Sequence, residues 1–68
     1  MLLTRDHLLE KLDYDISKMS PKHRNRTAGR IAQENGLAQV SIPGVKGFRY
    51  KLAEVEAMIE KNTVKRAA

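Results

Sequence analysis

The stretch "QVSIPGVKGFRYKLAEVEAMIE", residues 39–60, decides how this chain of 68 residues is read. Just before and into it, "LAQVSI" (37–42) alternates, with Ala38, Val40 and Ile42 on one face and Leu37, Gln39 and Ser41 on the other. "FRYKL" (48–52) alternates in the same way, setting Phe48, Tyr50 and Leu52 against Arg49 and Lys51, which is the pattern of a short half-buried strand. Between them "PGVKG" suits a bulged hairpin loop, since its proline and two glycines can continue neither strand. "LAEVEAMIEKN" then gathers Leu52, Val55, Met58 and Ile59 on one side, with Glu54, Glu56 and Glu60 elsewhere and Lys61 near the end. That is an amphipathic helix whose charges complement its dipole. A basic hairpin therefore feeds directly into a helix. With Phe48 and Tyr50 turned to the core, Arg49 and Lys51 must face outward, and Lys46 sits at the tip.

Upstream, "YDISKMSPKHRNRTAGRIAQENG" (14–36) holds a helix with unusually clear ends. Ser20 is a good cap, and Pro21 at the first helical position loses no needed hydrogen bond. Asn35-Gly36 is an equally good stop, because glycine takes the left-handed conformation freely. The helix spans residues 21–35, with its apolar residues, Ala28, Ile31 and Ala32, in the second half. In "LLTRDHLLEKLDYD" (2–15), Thr4 caps a helix over residues 5–13, Asp6 complements its first turn, and Leu8, Leu9 and Leu12 form its apolar stripe. Leu2 or Leu3 is expected to staple back onto that turn.

The order helix, helix, hairpin, helix predicts an α+β fold, a small winged helix-turn-helix over residues 1–62 with a frayed basic tail at 63–68. One core is expected, built from Leu8, Leu9, Leu12, Ile16, Ile31, Leu37, Val40, Ile42, Phe48, Tyr50, Val55 and Ile59. A chain this small buries only roughly 60% of its unfolded surface, which leaves no room for a deep catalytic cleft. There is no cysteine, so disulfides and thiolate metal sites are excluded. His7 and His23 lie far apart without ligand-like spacing, so no metal is expected. No apolar run approaches bilayer length, and "MLLTRDHLLEKL" gains charge too soon for a signal peptide. A soluble, cytoplasmic protein is expected, with no membrane partner.

Charge placement is more informative than the net +5. Between Asp15 and Glu54 eight lysines and arginines face one acid, Glu34, for a net +7 inside flanks that sum to −2. A segregated positive field attracts polyanions, nucleic acid before anionic membrane. With Ile31 at the centre of the inward face of the 21–35 helix, Lys22, Asn25, Arg26, Gly29, Arg30 and Gln33 fall on the far side. Arginine pairs with guanine edges, Asn and Gln with adenine, and lysine with phosphate. Gly29 costs roughly 1 kcal/mol against alanine inside a helix; close approach to DNA or to another protein element would offset it. Lys22 and His23, beside the free N–H groups of the helix start, mark a phosphate site. Arg24 falls on the Ile31 side and is expected at the core's edge, reaching a phosphate or an aspartate at Asp13 or Asp15. On the hairpin, Lys46, Gly47, Arg49 and Lys51 are the wing contacts, with glycines that let the tip enter a narrow groove. No carboxylate pair, nucleophile–base spacing or phosphate loop points to catalysis; "PGVKG" lacks the spacing and the following Ser or Thr. The expectation is a protein that is not an enzyme and takes no cofactor or small-molecule ligand.

Taken together, "LLTRDHLLEKL" and "SPKHRNRTAGRIAQENGLAQVSIPGVKGFRYKLAEVEAMIEKN" resemble the small excisionase-like and prophage-regulator (AlpA-type) winged-helix proteins, relatives of the MerR-type DNA-binding domain. Leu3-Thr4, Gly36-Leu37, Pro43-Gly44, Phe48-Arg49-Tyr50 and the acidic last helix carry the resemblance in order and spacing. It implies double-stranded DNA as the partner, with an integrase or further copies of the chain beside it, and a role in excision or in switching phage promoters. It also implies that Lys22, Asn25, Arg26 and Arg30 face the major groove, with Lys46, Arg49 and Lys51 on the wing. The family's first turn is tight, whereas "DYDISKMS" (13–20) is longer; it extends the first helix, forms a small extra turn, or carries a protein contact. A phage-encoded protein-binding module, such as an anti-repressor or host-factor inhibitor, is the alternative. RNA binding is disfavoured by the lack of an exposed aromatic platform.

Overall fold

The computed structural model describes residues 1–63. Its elements are β1 (Leu2–Leu3), α1 (Arg5–Lys11), a 3₁₀ turn (Ile16–Lys18), α2 (Pro21–Asn35), β2 (Val40–Ser41), β3 (Phe48–Lys51) and α3 (Leu52–Asn62). Over the described residues the protein is a small α+β domain of three helices and a three-stranded antiparallel sheet ordered β1-β3-β2.

The helix ends follow from local chemistry. Thr4 accepts a hydrogen bond from the His7 N–H, and Ser20 accepts one from the His23 N–H with Pro21 behind it. α2 stops where Gly36 takes φ 67°, and the Leu37 N–H donates back to the Ala32 carbonyl at 2.9 Å. α1 stops two residues before the expected end. Asp13 takes φ 69°, its N–H reaching the Glu10 carbonyl and that of Tyr14 the Leu9 carbonyl, 3.0 Å each. This closes the helix as a glycine would, with an aspartate in the left-handed place.

The longer 13–20 connection forms the small extra turn. Asp15 caps it by accepting from the Ser17 N–H, and Arg24 fastens it from α2. Arg24 Nε donates to the Met19 carbonyl at 3.0 Å, Nη2 to the Ile16 carbonyl at 2.6 Å, and Nη1 to Asp6 Oδ2 at 3.2 Å. Arg24 does sit at the core's edge, but its carboxylate is Asp6, not Asp13 or Asp15. A helical residue at position 6 lies far from 24 in sequence, and only the packing of α1 on α2 brings them together.

Leu2 and Leu3 form a strand where a staple was expected. Leu3 lies opposite Tyr50 and Leu2 opposite Lys51, and the Leu52 N–H continues the ladder to the Met1 carbonyl at 3.1 Å. Leu3 and Tyr50 thus share the inner face and are buried, over a core of Leu8, Leu9, Ala28, Ile31, Ala32, Leu37, Val55 and Met58. Leu12, Ile16, Met19, Leu52 and Ile59 pack against its margin.

Three expected core residues move. Val40 lies opposite Arg49 and Ser41 opposite Phe48, so Val40 belongs to the outer face and Ser41 to the inner one. One step of register exchanges the faces of a strand, which leaves Val40 half-buried; Ile42, past the end of β2, is half-buried as well. Phe48 does point to the same side as Tyr50, yet it is 46% exposed against 3% for Tyr50. The hairpin simply runs past the helices that would cover it.

Candidate nucleic-acid interface

The overrun of the sheet creates a cleft. One wall is the hairpin, through Lys46, Gly47, Phe48 and Arg49, and Tyr50 closes the floor. The other wall is the start of α1, through Thr4, Arg5 and Asp6, together with Asn25 and Ala28 of α2. A shallower hollow adjoins it along α2, formed by Arg26, Gly29, Arg30 and Gln33. Asn25 and Gln39 border both, so the two hollows adjoin. Among the described residues five cations line the two: Arg5, Arg26, Arg30, Lys46 and Arg49; Asp6 is the single acid among them, already bound to Arg5 and Arg24.

Of the residues expected from the sequence to form the site, Asn25, Arg26, Gly29, Arg30, Lys46, Gly47 and Arg49 are therefore brought together. Arg26, Arg30 and Lys46 are exposed, while Arg49 is half-buried, its Nη1 3.4 Å from the Phe48 carbonyl. Lys22, His23 and Lys51 lie outside this lining. Lys22 and His23 are exposed on the first turn of α2; Lys51 is exposed at the start of α3, on the sheet face opposite Tyr50. The start of α2 is also poorer in donors than expected. Pro21 has no N–H, and that of His23 serves Ser20 Oγ at 3.2 Å.

Gly29 has open space where a side chain would begin, with no atom within 4 Å of a Cβ placed there. Close packing against another element of the described residues is therefore not what offsets its helical cost. Gly47 is different: φ 82° places it in the left-handed region that the loop needs.

Arg5, Gln39 and Phe48 are among the lining residues that were not singled out as site residues from the sequence. Arg5 belongs to a helix that reads as scaffold, and its place in the cleft comes from the packing of α1 across α2. Its Nη1 is 2.6 Å from Asn25 Oδ1, and its Nε is 3.0 Å from Asp6 Oδ1. Gln39 sits in the connection ahead of β2, where no periodicity flags it. Phe48 reads as core from alternation alone. The α3 helix braces this side of the molecule, since Glu54 Oε1 accepts from the Ala38 N–H at 2.9 Å, next to Gln39. Among the described residues no helix is long and apolar enough to cross a membrane.

No protein-family model matches the chain, and no curated protein and no solved structure matches it.

Proposed function

We propose that this chain is a sequence-specific double-stranded DNA-binding protein of winged helix-turn-helix type and of phage or mobile-element origin. It acts as an excisionase (recombination directionality factor), as a transcriptional regulator, or as both, and it works without catalysis. One observation carries this reading: the outer face of α2 and the tip of the hairpin line two adjoining hollows that, among the described residues, hold five cations. Phosphate contacts from the hairpin and α2 supply affinity and position, while Arg26, Arg30 and Asn25 supply sequence choice. The resemblance to AlpA-type regulators points to the same use of these two segments, with an integrase or further copies as neighbours on the DNA.

Footprinting on the intergenic DNA beside the gene tests it. A discrete protected site is expected, and Arg26→Ala and Arg30→Ala should weaken binding there more than binding to unrelated duplex. Equal losses would reduce both residues to phosphate anchors, and no protection of any duplex at low salt would overturn the reading.

The exposure of Phe48 and Val45 on the hairpin favours a second reading, a protein-binding module that places the same face on an acidic groove. Retention of one host protein, combined with failure to hold duplex DNA, is its signature. The same exposure removes one argument against RNA, but a single aromatic falls short of the two or three that a base-stacking sheet presents.

A further inference from the structure

We infer that Arg5 is a nucleic-acid contact delivered from α1, and that by occupying the amide oxygen of Asn25 it makes the pair a reader of guanine. This rests on the duplex-binding reading above and names which base that surface selects. A free asparagine reads adenine with both ends of its amide, accepting from N6 and donating to N7. Here the accepting end is engaged: Arg5 Nη1 lies 2.6 Å from Asn25 Oδ1, in a bond strengthened by the charge of the donor. The guanidinium is held from two further directions, with Nη1 also 3.2 Å from the Pro21 carbonyl and Nε 3.0 Å from Asp6 Oδ1. Asp6 is itself fixed through its other oxygen by Arg24 Nη1 at 3.2 Å. Arg5 therefore enters the cleft wall already oriented.

What remains for a ligand is one kind of group. Among the described residues neither Arg5 Nη2 nor Asn25 Nδ2 has a partner, and both residues line the cleft. The pair offers N–H donors from two side chains, and the oxygen that adenine would need is occupied. In the major groove guanine is the base that presents two acceptors, N7 and O6, and no donor of its own. Adenine would have to compete with a guanidinium for the same oxygen.

The test is selection of duplexes from a random pool with the full chain, followed by binding measurements on the enriched site. The expected result is a fixed guanine whose replacement by adenine weakens binding about tenfold or more. Replacing that guanine by 7-deazaguanine, which lacks the N7 acceptor, should weaken binding by the wild-type chain and much less by Arg5→Met. Arg5→Met should also shift the preference at that position toward adenine, because the Asn25 oxygen is released. Where Arg5→Met does not fold, as judged by circular dichroism, the 7-deazaguanine effect on the wild-type chain and the base preference of Asn25→Ala decide. An enriched site at which no guanine is sensitive to deazaguanine, or that Arg5→Met and Asn25→Ala read as the wild type does, overturns the Arg5–Asn25 assignment alone. A wild-type chain that enriches no duplex overturns the DNA-binding reading and this inference with it.

Discussion

At Gly29 stability and the proposed DNA binding are expected to pull in opposite directions. Gly29 sits inside α2, and among the described residues no other element comes within 4 Å of the place of its missing side chain. Gly29→Ala is expected to stabilise the fold by about 1 kcal/mol, the difference in helix propensity. For a domain of this size that raises the melting midpoint by roughly 4–8 °C. The added methyl also stands in the middle of the hollow between Arg26 and Arg30, where it would hold a DNA duplex away from the helix backbone. Thermal melting and a gel-shift titration on the same variant should therefore move in opposite directions. Higher stability with unchanged affinity would remove Gly29 from the interface. Phe48 carries a related lesson, since alternation correctly gave its direction but not whether anything lies above it.

Among the elements, the connection between α1 and α2 is the one whose form depends on a distant side chain. Residues 13–20 bury little, and Arg24 ties two of their carbonyls to α2 while pairing with Asp6 of α1. Its side chain is 21% exposed, so the pair is partly screened by solvent. Hydrogen bonds to charged groups contribute about 1.5–3 kcal/mol in such settings, and the partial exposure favours the lower end. Arg24→Ala is thus expected to destabilise the domain by about 2 kcal/mol, read as a lower midpoint in urea or heat. Arg24 lines neither hollow but holds the Asp6 that orients Arg5, so duplex affinity measured well below the melting temperature should fall only at sites that use the Arg5 contact and change little elsewhere. A variant as stable as the wild type would show that the 3₁₀ turn is held by other contacts, such as the packing of Ile16 and Met19 on the core margin.

At the scale of the whole molecule, the arrangement of charge sets how binding should depend on salt. The two hollows draw their cations from three elements and one loop: Arg5 from α1, Arg26 and Arg30 from α2, Arg49 from β3 and Lys46 from the loop before it. Glu10, Glu34 and Glu56 are exposed and lie outside their lining. For B-form DNA each neutralised phosphate contributes a slope of about −0.9 in log affinity against log salt. Lys46→Ala should therefore weaken binding to all duplexes alike and make that slope shallower by about 0.9. A loss confined to one sequence would instead make Lys46 a base contact.

The sequence by itself determined the helices, the hairpin break and the side of α2 left to solvent. Each follows from interactions within a few residues: Ser20-Pro21 and Gly36 close α2 whatever surrounds it, and a 3.6-residue period separates Ile31 from Arg26 and Arg30. It also determined that the positive charge is segregated, though only along the chain. The tertiary structure decided the rest. The strand at Leu2–Leu3 is two residues long and carries no period, so only pairing with β3 reveals it. The faces of β2 depend on a register that no local signal sets, and the exposure of Phe48 depends on where the helices end. Arg5 meets Asn25, and Arg24 meets Asp6, because α1 crosses α2 at a particular place. Side chains 18 or 20 positions apart find one another through packing, which a local pattern does not encode.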